Sequence, residues 1–255
     1  MDQVVPVLRI TDDKQAVRAL LFGYACHNTT LSFYQFCGDY AGFAQQYLEE
    51  ELPGTVAMFM SGCGGDQNPY PRGTIELARQ HGRTLATAVR AALETVPKPL
   101  AGPLATAWRE VELEFAPPPT RDELLLFAAG KPSTEQRHAK TLLEQLAKDG
   151  RIRTTYSYPI QVVHFGDDLT LIALAGEVVV DYSLRLKAEL AGSSVWVAAY
   201  SNDVFGYVPS RRVLAEGGYE AGGAMLFGRL PGPFAPSVEE RIITPTLEMA
   251  RRAHP

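Results

Sequence analysis

The order of apolar and polar positions along the chain predicts strands that alternate with helices. Residues 4–10 and 16–24 are apolar runs on either side of a polar turn, which indicates a β-hairpin. Residues 155–166 and 169–175 flank a Gly-Asp-Asp turn and indicate a second hairpin. Short apolar runs predict further strands at residues 55–60 and 194–200, and alternation of apolar and polar residues predicts one at residues 104–115.

Helical spacing of apolar residues predicts helices between these strands. The stretches are residues 40–51, 73–94, 120–129, 133–148, 178–190 and 236–253. Asp39, Thr120 and Ser133 stand where N-cap residues are preferred. Together the elements predict one α/β domain across residues 1–255, with a mixed β-sheet flanked by helices on both faces.

The composition limits the classes of partner. The chain has 255 residues, 46% of them apolar and 21% charged, and its formal net charge is −5. Nucleic-acid binding needs clustered Lys and Arg, so we expect no nucleic-acid partner. The longest apolar runs are far shorter than the roughly 20 residues that span a bilayer, so no transmembrane segment is predicted.

The three cysteines show no spacing typical of a metal site. Cys26, Cys37 and Cys63 are therefore predicted to be small buried side chains.

Three polar residues share one type of position, since His27, Glu177 and Tyr207 each follow an apolar strand. Residues at the carboxyl ends of strands in an α/β sheet can converge although they are distant in sequence. An imidazole, a carboxylate and a phenolate suit zinc, and three protein ligands leave a position for water. Spacing alone equally allows a hydrogen-bonded loop histidine, a glutamate that complements a helix dipole and a tyrosine packed in the core.

A glycine-rich turn, Gly62-Cys63-Gly64-Gly65, precedes the helix predicted at residues 73–94. Helix N-termini bind anions, so an alternative function is that of a phosphate- or nucleotide-binding α/β enzyme that uses this loop. The loop lacks the Lys-Ser/Thr of a P-loop and the Gly-x-Gly-x-x-Gly spacing, however. A tight turn that needs positive φ is the simpler interpretation of its glycines.

A series of short motifs runs through residues 25–221. The motifs are A-C-H-N-T-T at 25–30, G-D-Y-A-G-F-A at 38–44, G-D-Q-N-P at 65–69, A-G-E at 175–177, S-N-D-V-F-G-Y-V-P-S at 201–210 and G-Y-E-A at 218–221. In this order they resemble the A-x-H-x-x-S/T, D-x-x-G-Y/F-A, G-D-V-S-P, P-G-E, S-N-x-Y-x-x-Y-x-x-T and R-Y-E-A segments of the neutral/alkaline ceramidase family. Each motif alone is weak, but the series in register is fairly specific.

The resemblance implies a zinc-dependent hydrolase that cleaves an N-acyl amide bond in a small-molecule or lipid substrate, as in sphingolipid metabolism. Carried over position by position, it implies that His27, Glu177 and Tyr207 bind Zn²⁺. The family segment has two tyrosines, and Val204 replaces the first of them. Tyr207 is therefore the tyrosine that remains as a candidate ligand.

Our hypothesis is that the loop at residues 64–68 supplies the remaining catalytic groups. The backbone amides of Gly64, Gly65 and Asp66 and the side chain of Asn68 would donate to the tetrahedral oxyanion, and Asp66 would order the loop or accept a proton. The family has a serine where Asn68 stands. Because asparagine has no hydroxyl to deprotonate, hydrolysis by a metal-activated water is expected instead of a serine-acyl route.

The resemblance covers only part of the family's length. A further zinc-binding histidine, in an upstream T-H-T-H-S-type segment, and a C-terminal immunoglobulin-like domain have no counterpart in the chain. We therefore expect a partial catalytic domain, and a non-catalytic relative of the same fold is an alternative. Residues 1–6 show no signal peptide, whereas the family implies a secreted or periplasmic full-length protein.

Overall fold

The structure, a computed structural model, describes residues 1–228 and 230–251. The strands are β1 (Val7–Thr11), β2 (Val17–Tyr24), β3 (Val56–Ser61), β4 (Leu104–Glu114), β5 (Thr155–Phe165), β6 (Leu169–Leu174), β7 (Glu177–Val178), β8 (Val195–Ala198) and β9 (Tyr207–Val208). The α-helices are α1 (Asp39–Glu51), α2 (Ile75–Leu93), α3 (Arg121–Ala128), α4 (Thr134–Asp149), α5 (Val180–Glu189), α6 (Arg211–Glu216) and α7 (Val238–Ala250). The helix predicted at residues 236–253 is α7, and its predicted end lies outside the described residues.

The first predicted hairpin is confirmed and belongs to a three-stranded sheet. β1 pairs antiparallel with β2, and β2 pairs parallel with β3. Leu20 and Phe22 on β2 are buried in a core cluster with Leu48 of α1 and Val89 of α2. Each such side chain contributes roughly 1.5–3 kcal/mol when it leaves water, so this packing fixes which face of the sheet the helices cover.

The second predicted hairpin, β5–β6, is also confirmed and lies within a four-stranded sheet of order β4-β5-β6-β8. β6 and β8 are parallel, and the others pair antiparallel. Ile160, Ile172 and Val197 from three of these strands are buried in one core cluster with Leu186 of α5 and Ile242 of α7. The largest core cluster of the described residues therefore lies between this sheet and the helices that pack on it.

The two sheets meet where several strands end. The Ala199 N–H donates to Ser61 O at 3.0 Å, and the Gly62 N–H donates to Tyr24 O at 3.0 Å. These bonds place the carboxyl ends of β2, β3 and β8 side by side. We call this junction the seam. Loops that follow these strands share one edge of the molecule, which is where α/β folds place functional residues.

The predicted α/β class with mixed strand pairing is confirmed. The described strands are divided among three sheets, because β7 and β9 form a separate two-stranded pair. The apolar pattern does not predict this pair, since it predicts one helix over residues 178–190. That helix begins at Val180, and Glu177 and Val178 are extended.

Two local predictions about capping are confirmed and one is wrong. Thr120 closes a capping box with Glu123, and the Ser133 hydroxyl accepts from the Gln136 N–H. Asp39, predicted as an N-cap, is instead the first residue of α1. Its carboxylate accepts from the backbone N–H of Leu31 and of its own neighbour, so it holds the preceding loop against the helix.

The cysteine prediction is right for Cys63, which is fully buried, and wrong for Cys37, which is exposed. Cys37 lies on the loop before α1, where its Sγ accepts from the Asp39 N–H at 3.4 Å. Cys26 is partly buried, and burial raises the pKa of its thiol to about 11. Within the described part of the chain, no helix is both long and apolar enough to cross a membrane.

Candidate functional site

His27 lies just past the end of β2 and is held by the glycine-rich loop. Its backbone N–H donates to Gln67 O at 2.9 Å, and its Nε2 lies 3.0 Å from Gly65 O. The His27 side chain is only 12% exposed. The loop that follows β3 therefore fixes both the backbone and the ring of this histidine.

The glycines of this loop are needed for close packing. A Cβ on Gly64 would lie 2.6 Å from Cys26 N, and one on Gly65 would lie 2.5 Å from Glu177 O. Gly62, Gly64 and Gly65 have no φ in the left-handed region, so the prediction of a positive-φ turn is wrong. The loop lacks side chains because it passes between two other backbone segments.

Glu177 and Tyr207 are brought together by the short pair β7–β9. Glu177 is the direct partner of Tyr207 in this parallel pair. The Glu177 N–H donates to Gly206 O at 2.8 Å, and the Val179 N–H donates to Val208 O at 3.2 Å. Because directly paired residues of a sheet lie side by side on one face, both side chains point to the same region.

The structure brings the three predicted metal ligands into one cluster. His27 Nε2 lies 3.4 Å from Tyr207 Oη and 3.9 Å from Glu177 Oε2. Tetrahedral zinc with bonds of 2.0–2.2 Å places its ligand atoms roughly 3.3–3.6 Å apart. The observed separations are close to this spacing, so the donor set fits the ion in chemistry and nearly in distance.

Tyr200 also belongs to the cluster, and sequence reasoning missed it. Its Oη lies 3.1 Å from His27 Nδ1 and 3.3 Å from Glu177 Oε2. Tyr200 follows β8, and its φ of 55° is unusual for a residue with a side chain. The available signal was its place at a strand end, directly before the Ser-Asn-Asp motif.

The electrostatics of the cluster favour neutral phenols in the absence of a cation. Burial, then the charge of Glu177, raises the pKa of Tyr207. The same two causes raise the pKa of Tyr200. A divalent cation reverses this balance because metal binding favours deprotonated ligands. Among the described residues, no group of three or more His, Cys, Asp or Glu side chains is arranged to hold a metal ion, so any site here depends on tyrosine.

The predicted catalytic residues of the 64–68 loop have different surroundings. The Gly65 N–H donates to Val178 O at 2.9 Å, so the prediction that it donates to an oxyanion is wrong for this conformation. Asp66 Oδ1 accepts from the Val180 N–H at 2.9 Å, and its Oδ2 lies 3.5 Å from Arg212. These contacts agree with the loop-ordering alternative for Asp66. Gly64 remains a predicted donor.

Asn68 is exposed and lies one residue from the carbonyl that binds the His27 N–H. Its Oδ1 accepts from Thr29 Oγ1 at 3.0 Å and from Arg72 at 3.4 Å. This leaves the Nδ2 group of Asn68 as its hydrogen-bond donor. The oxyanion role of Asn68 stays a prediction.

An apolar cavity lies next to the glycine-rich loop, and an aromatic contact lies at the cluster itself. A cavity of about 450 Å³ is lined by Tyr24, Cys26 and Asn68 together with other, mostly apolar residues. At the cluster, the Tyr207 ring packs on Tyr219 with centroids 5.4 Å apart. Tyr219 in turn contacts Phe227, which is 69% exposed. The Tyr219 and Phe227 rings therefore offer apolar surface next to Tyr207.

Comparison with known proteins supports the fold. No protein-family model and no curated protein sequence matches the chain. A crystal structure of neutral ceramidase from Pseudomonas aeruginosa matches with a TM-score of 0.67 and 19% sequence identity. A structure described as ceramidase complexed with C2 matches with a TM-score of 0.70 and 18% identity.

Both matches cover 96% of this chain but only 45% and 47% of the ceramidase chains. The chain thus spans less than half the length of these structures. Sequence identities of this size establish the fold but not the chemistry of these ceramidases. The chain has the fold of neutral ceramidase over nearly all of its own length.

Proposed function

We propose that the protein is a zinc-dependent hydrolase that cleaves an N-acyl amide bond. The proposal rests mainly on one observation, the convergence of His27, Glu177 and Tyr207 at separations close to those of zinc ligands. His27 and Tyr207, the first and last of these residues along the chain, are 180 positions apart. The likeness to ceramidases in fold supports the same chemistry by analogy.

Each residue has a distinct part in this proposal. His27 supplies a neutral imidazole nitrogen, Glu177 a carboxylate oxygen and Tyr207 a phenol oxygen. A zinc ion held by them would supply a Lewis acid for the amide carbonyl and lower the pKa of water to about 7. Glu177 balances part of the charge of the ion, and its partial burial, with 24% of the side chain exposed, strengthens that interaction.

The Asn68 side chain replaces a hydroxyl nucleophile with a hydrogen-bond donor. Its Nδ2 group would donate to the oxygen that becomes negative when the amide carbonyl is attacked. Loss of one donor of this kind typically raises the barrier by roughly 2.7–4 kcal/mol. The Gly64 amide is the second proposed donor.

The apolar cavity next to Asn68 and the aromatic surface next to Tyr207 favour a lipid amide as substrate. The cavity next to Asn68 has space for part of an alkyl chain, and the Tyr219–Phe227 pair offers a second apolar contact. Binding an alkyl chain there removes apolar surface from water at roughly 25 cal/mol per Å². An N-acylated long-chain amine, such as a ceramide, is the substrate class we propose.

The alternative of phosphate binding by the glycine-rich loop has less support. The N–H groups of Gly62 and Gly65 both donate to backbone carbonyls. The helix α2 begins only at Ile75, ten residues beyond Gly65 by sequence number, so its N-terminus does not open directly from the loop. A phosphate cradle needs backbone amides that point to the ligand.

The test compares the wild-type protein with Glu177→Gln and with Glu50→Gln, which changes an exposed glutamate of α1. Zinc content is measured by mass spectrometry, and hydrolysis by release of fatty acid from an N-acyl sphingosine. We expect about one zinc ion per chain in the wild type and in Glu50→Gln. In Glu177→Gln we expect the zinc affinity and the rate to fall at least about tenfold, because the carboxylate charge is lost.

Full zinc content and full activity in Glu177→Gln would contradict the proposal. A wild-type protein that binds zinc at this site but hydrolyses no amide would instead support the non-catalytic alternative.

A further inference from the structure

Tyr200 contacts two of the proposed zinc ligands at once. Its Oη lies 3.1 Å from His27 Nδ1 and 3.3 Å from Glu177 Oε2. The other ring nitrogen of His27, Nε2, faces Gly65 O, Tyr207 Oη and Glu177. Nε2 is therefore the nitrogen directed at the other ligands, and Nδ1 is the nitrogen directed at Tyr200.

Hydrogen-bond chemistry restricts how these groups combine. A phenol carries one proton, so Tyr200 donates to either His27 or Glu177 but not to both. A neutral imidazole carries its proton on one nitrogen only. If Nε2 carries it, Gly65 O accepts it and Tyr200 donates to Nδ1. If Nδ1 carries it, Tyr200 accepts from His27 and donates to Glu177.

Only the second arrangement leaves Nε2 with a lone pair for a metal. We propose that Tyr200 is a positioning residue that accepts a hydrogen bond from the Nδ1–H of His27 and donates one to Glu177, while Gly65 O accepts from Nε2–H in the competing tautomer. The inference rests on the proposed function, since it assigns the partner of two proposed zinc ligands. Hydrogen bonds of this kind to metal-binding histidines fix the ring and the tautomer.

The backbone around Tyr200 is consistent with a fixed side chain. Its N–H donates to Gly176 O at 3.0 Å, and the next N–H, of Ser201, donates to Leu174 O at 3.0 Å. Its φ of 55° lies in the left-handed region, which costs of order 1 kcal/mol or more for a residue with a side chain. Such a conformation persists where the surrounding contacts determine it, as the seam does here.

The test is Tyr200→Phe, which removes the hydroxyl and keeps the ring. Zinc affinity is measured by competition with a chelator, and the tautomer of His27 by ¹⁵N NMR in zinc-free and zinc-loaded protein. In the wild type we expect the proton on Nε2 without zinc and on Nδ1 with zinc. In Tyr200→Phe we expect zinc affinity to fall roughly 10- to 100-fold, with the zinc-free tautomer unchanged.

The control is Tyr40→Phe, which removes a hydroxyl that donates to Cys26 O at 2.7 Å near the same loop. It is expected to lower stability without a comparable loss of zinc affinity. Zinc affinity of Tyr200→Phe within twofold of wild type, or a zinc-loaded His27 protonated on Nε2, would overturn the role of Tyr200 alone. A wild-type protein that binds no zinc would overturn the proposed function and this inference together.

Discussion

At the scale of single residues, the candidate site depends on backbone contacts that no side chain could replace. The Gly65 position is the closest of these, because its Cα faces the carbonyl of Glu177. The same residue donates its N–H to Val178 O and offers its own carbonyl to the His27 ring. Gly65 therefore holds the β2 end and the β7 strand in one arrangement.

Gly65→Ala is expected to disturb this arrangement. The new Cβ would lie 2.5 Å from Glu177 O, so the two backbones must separate, and we expect a loss of roughly 1–3 kcal/mol in the free energy of unfolding. Zinc affinity should fall as well, because Glu177 moves relative to His27. Chemical denaturation and zinc titration measure the two effects.

The matched control is Gly42→Ala, in the helix α1, where a Cβ meets nothing within 4 Å. This change should leave zinc affinity unaltered and raise stability by up to about 1 kcal/mol, since alanine is the better helix former. Equal behaviour of the two variants would contradict the close-approach explanation.

At the scale of elements, the sequence predicted most strands and helices but not the pair that assembles the site. The hairpins β1–β2 and β5–β6 are long enough to show periodicity, so their prediction is confirmed. β7 and β9 have two residues each, which is too few to show a period, and they pair although they are not adjacent along the chain. Strand ends correctly located His27 and Glu177, but only tertiary packing shows that Tyr200 reaches both.

The loop after β3 and the start of α5 are joined by Asp66, which gives a test of its role. Asp66→Asn keeps an oxygen that can accept from the Val180 N–H, whereas Asp66→Ala does not. We expect Asp66→Ala to lower the free energy of unfolding by roughly 0.5–2 kcal/mol, as for other helix caps. Asp66→Asn should retain most of that stability and most of the hydrolytic activity.

Thermal unfolding and fatty-acid release distinguish the two possible roles. If Asp66→Asn were as stable as wild type but inactive, the carboxylate would be a proton acceptor, and the loop-ordering role would not account for its function.

At the scale of the whole molecule, residues near the N-terminus are anchored by charge. Asp2 is 5% exposed and accepts from Ser183 and Lys187 of α5 at 2.7 and 2.5 Å. Burial tends to raise the pKa of Asp2, but the hydrogen bonds from Lys187 and Ser183 outweigh it, and the pKa is lowered below its ordinary value of 3.8. An acid with a lowered folded-state pKa stabilises the fold above the ordinary value.

This stabilisation should therefore be complete near neutral pH and should be lost as the pH falls below about 4 towards the lowered pKa. Asp2→Asn is expected to reduce the free energy of unfolding by roughly 1–3 kcal/mol at pH 7, and by much less near pH 2. Urea denaturation of both proteins across this pH range measures the difference. A difference that did not shrink in acid would show that the charge of Asp2 has no part in it.

The alternation of predicted strands and helices correctly indicated an α/β fold, because apolar periodicity is a property of long segments. The division into separate sheets was beyond sequence reasoning. It depends on which strand ends meet at the seam, through bonds such as that between Ala199 and Ser61. Backbone pairing of this kind leaves no pattern in side-chain identity.

The cluster draws residues from both sides of the seam, and this links metal binding to the contact between the two sheets. His27 follows a strand of the three-stranded sheet, and Tyr200 follows a strand of the four-stranded sheet. If the two sheets separated during thermal unfolding, the proposed ligands would separate with them. An ion bound by residues from both sheets would cross-link them. At a free concentration one hundred times its dissociation constant it would add about 2.7 kcal/mol to the stability of the whole chain.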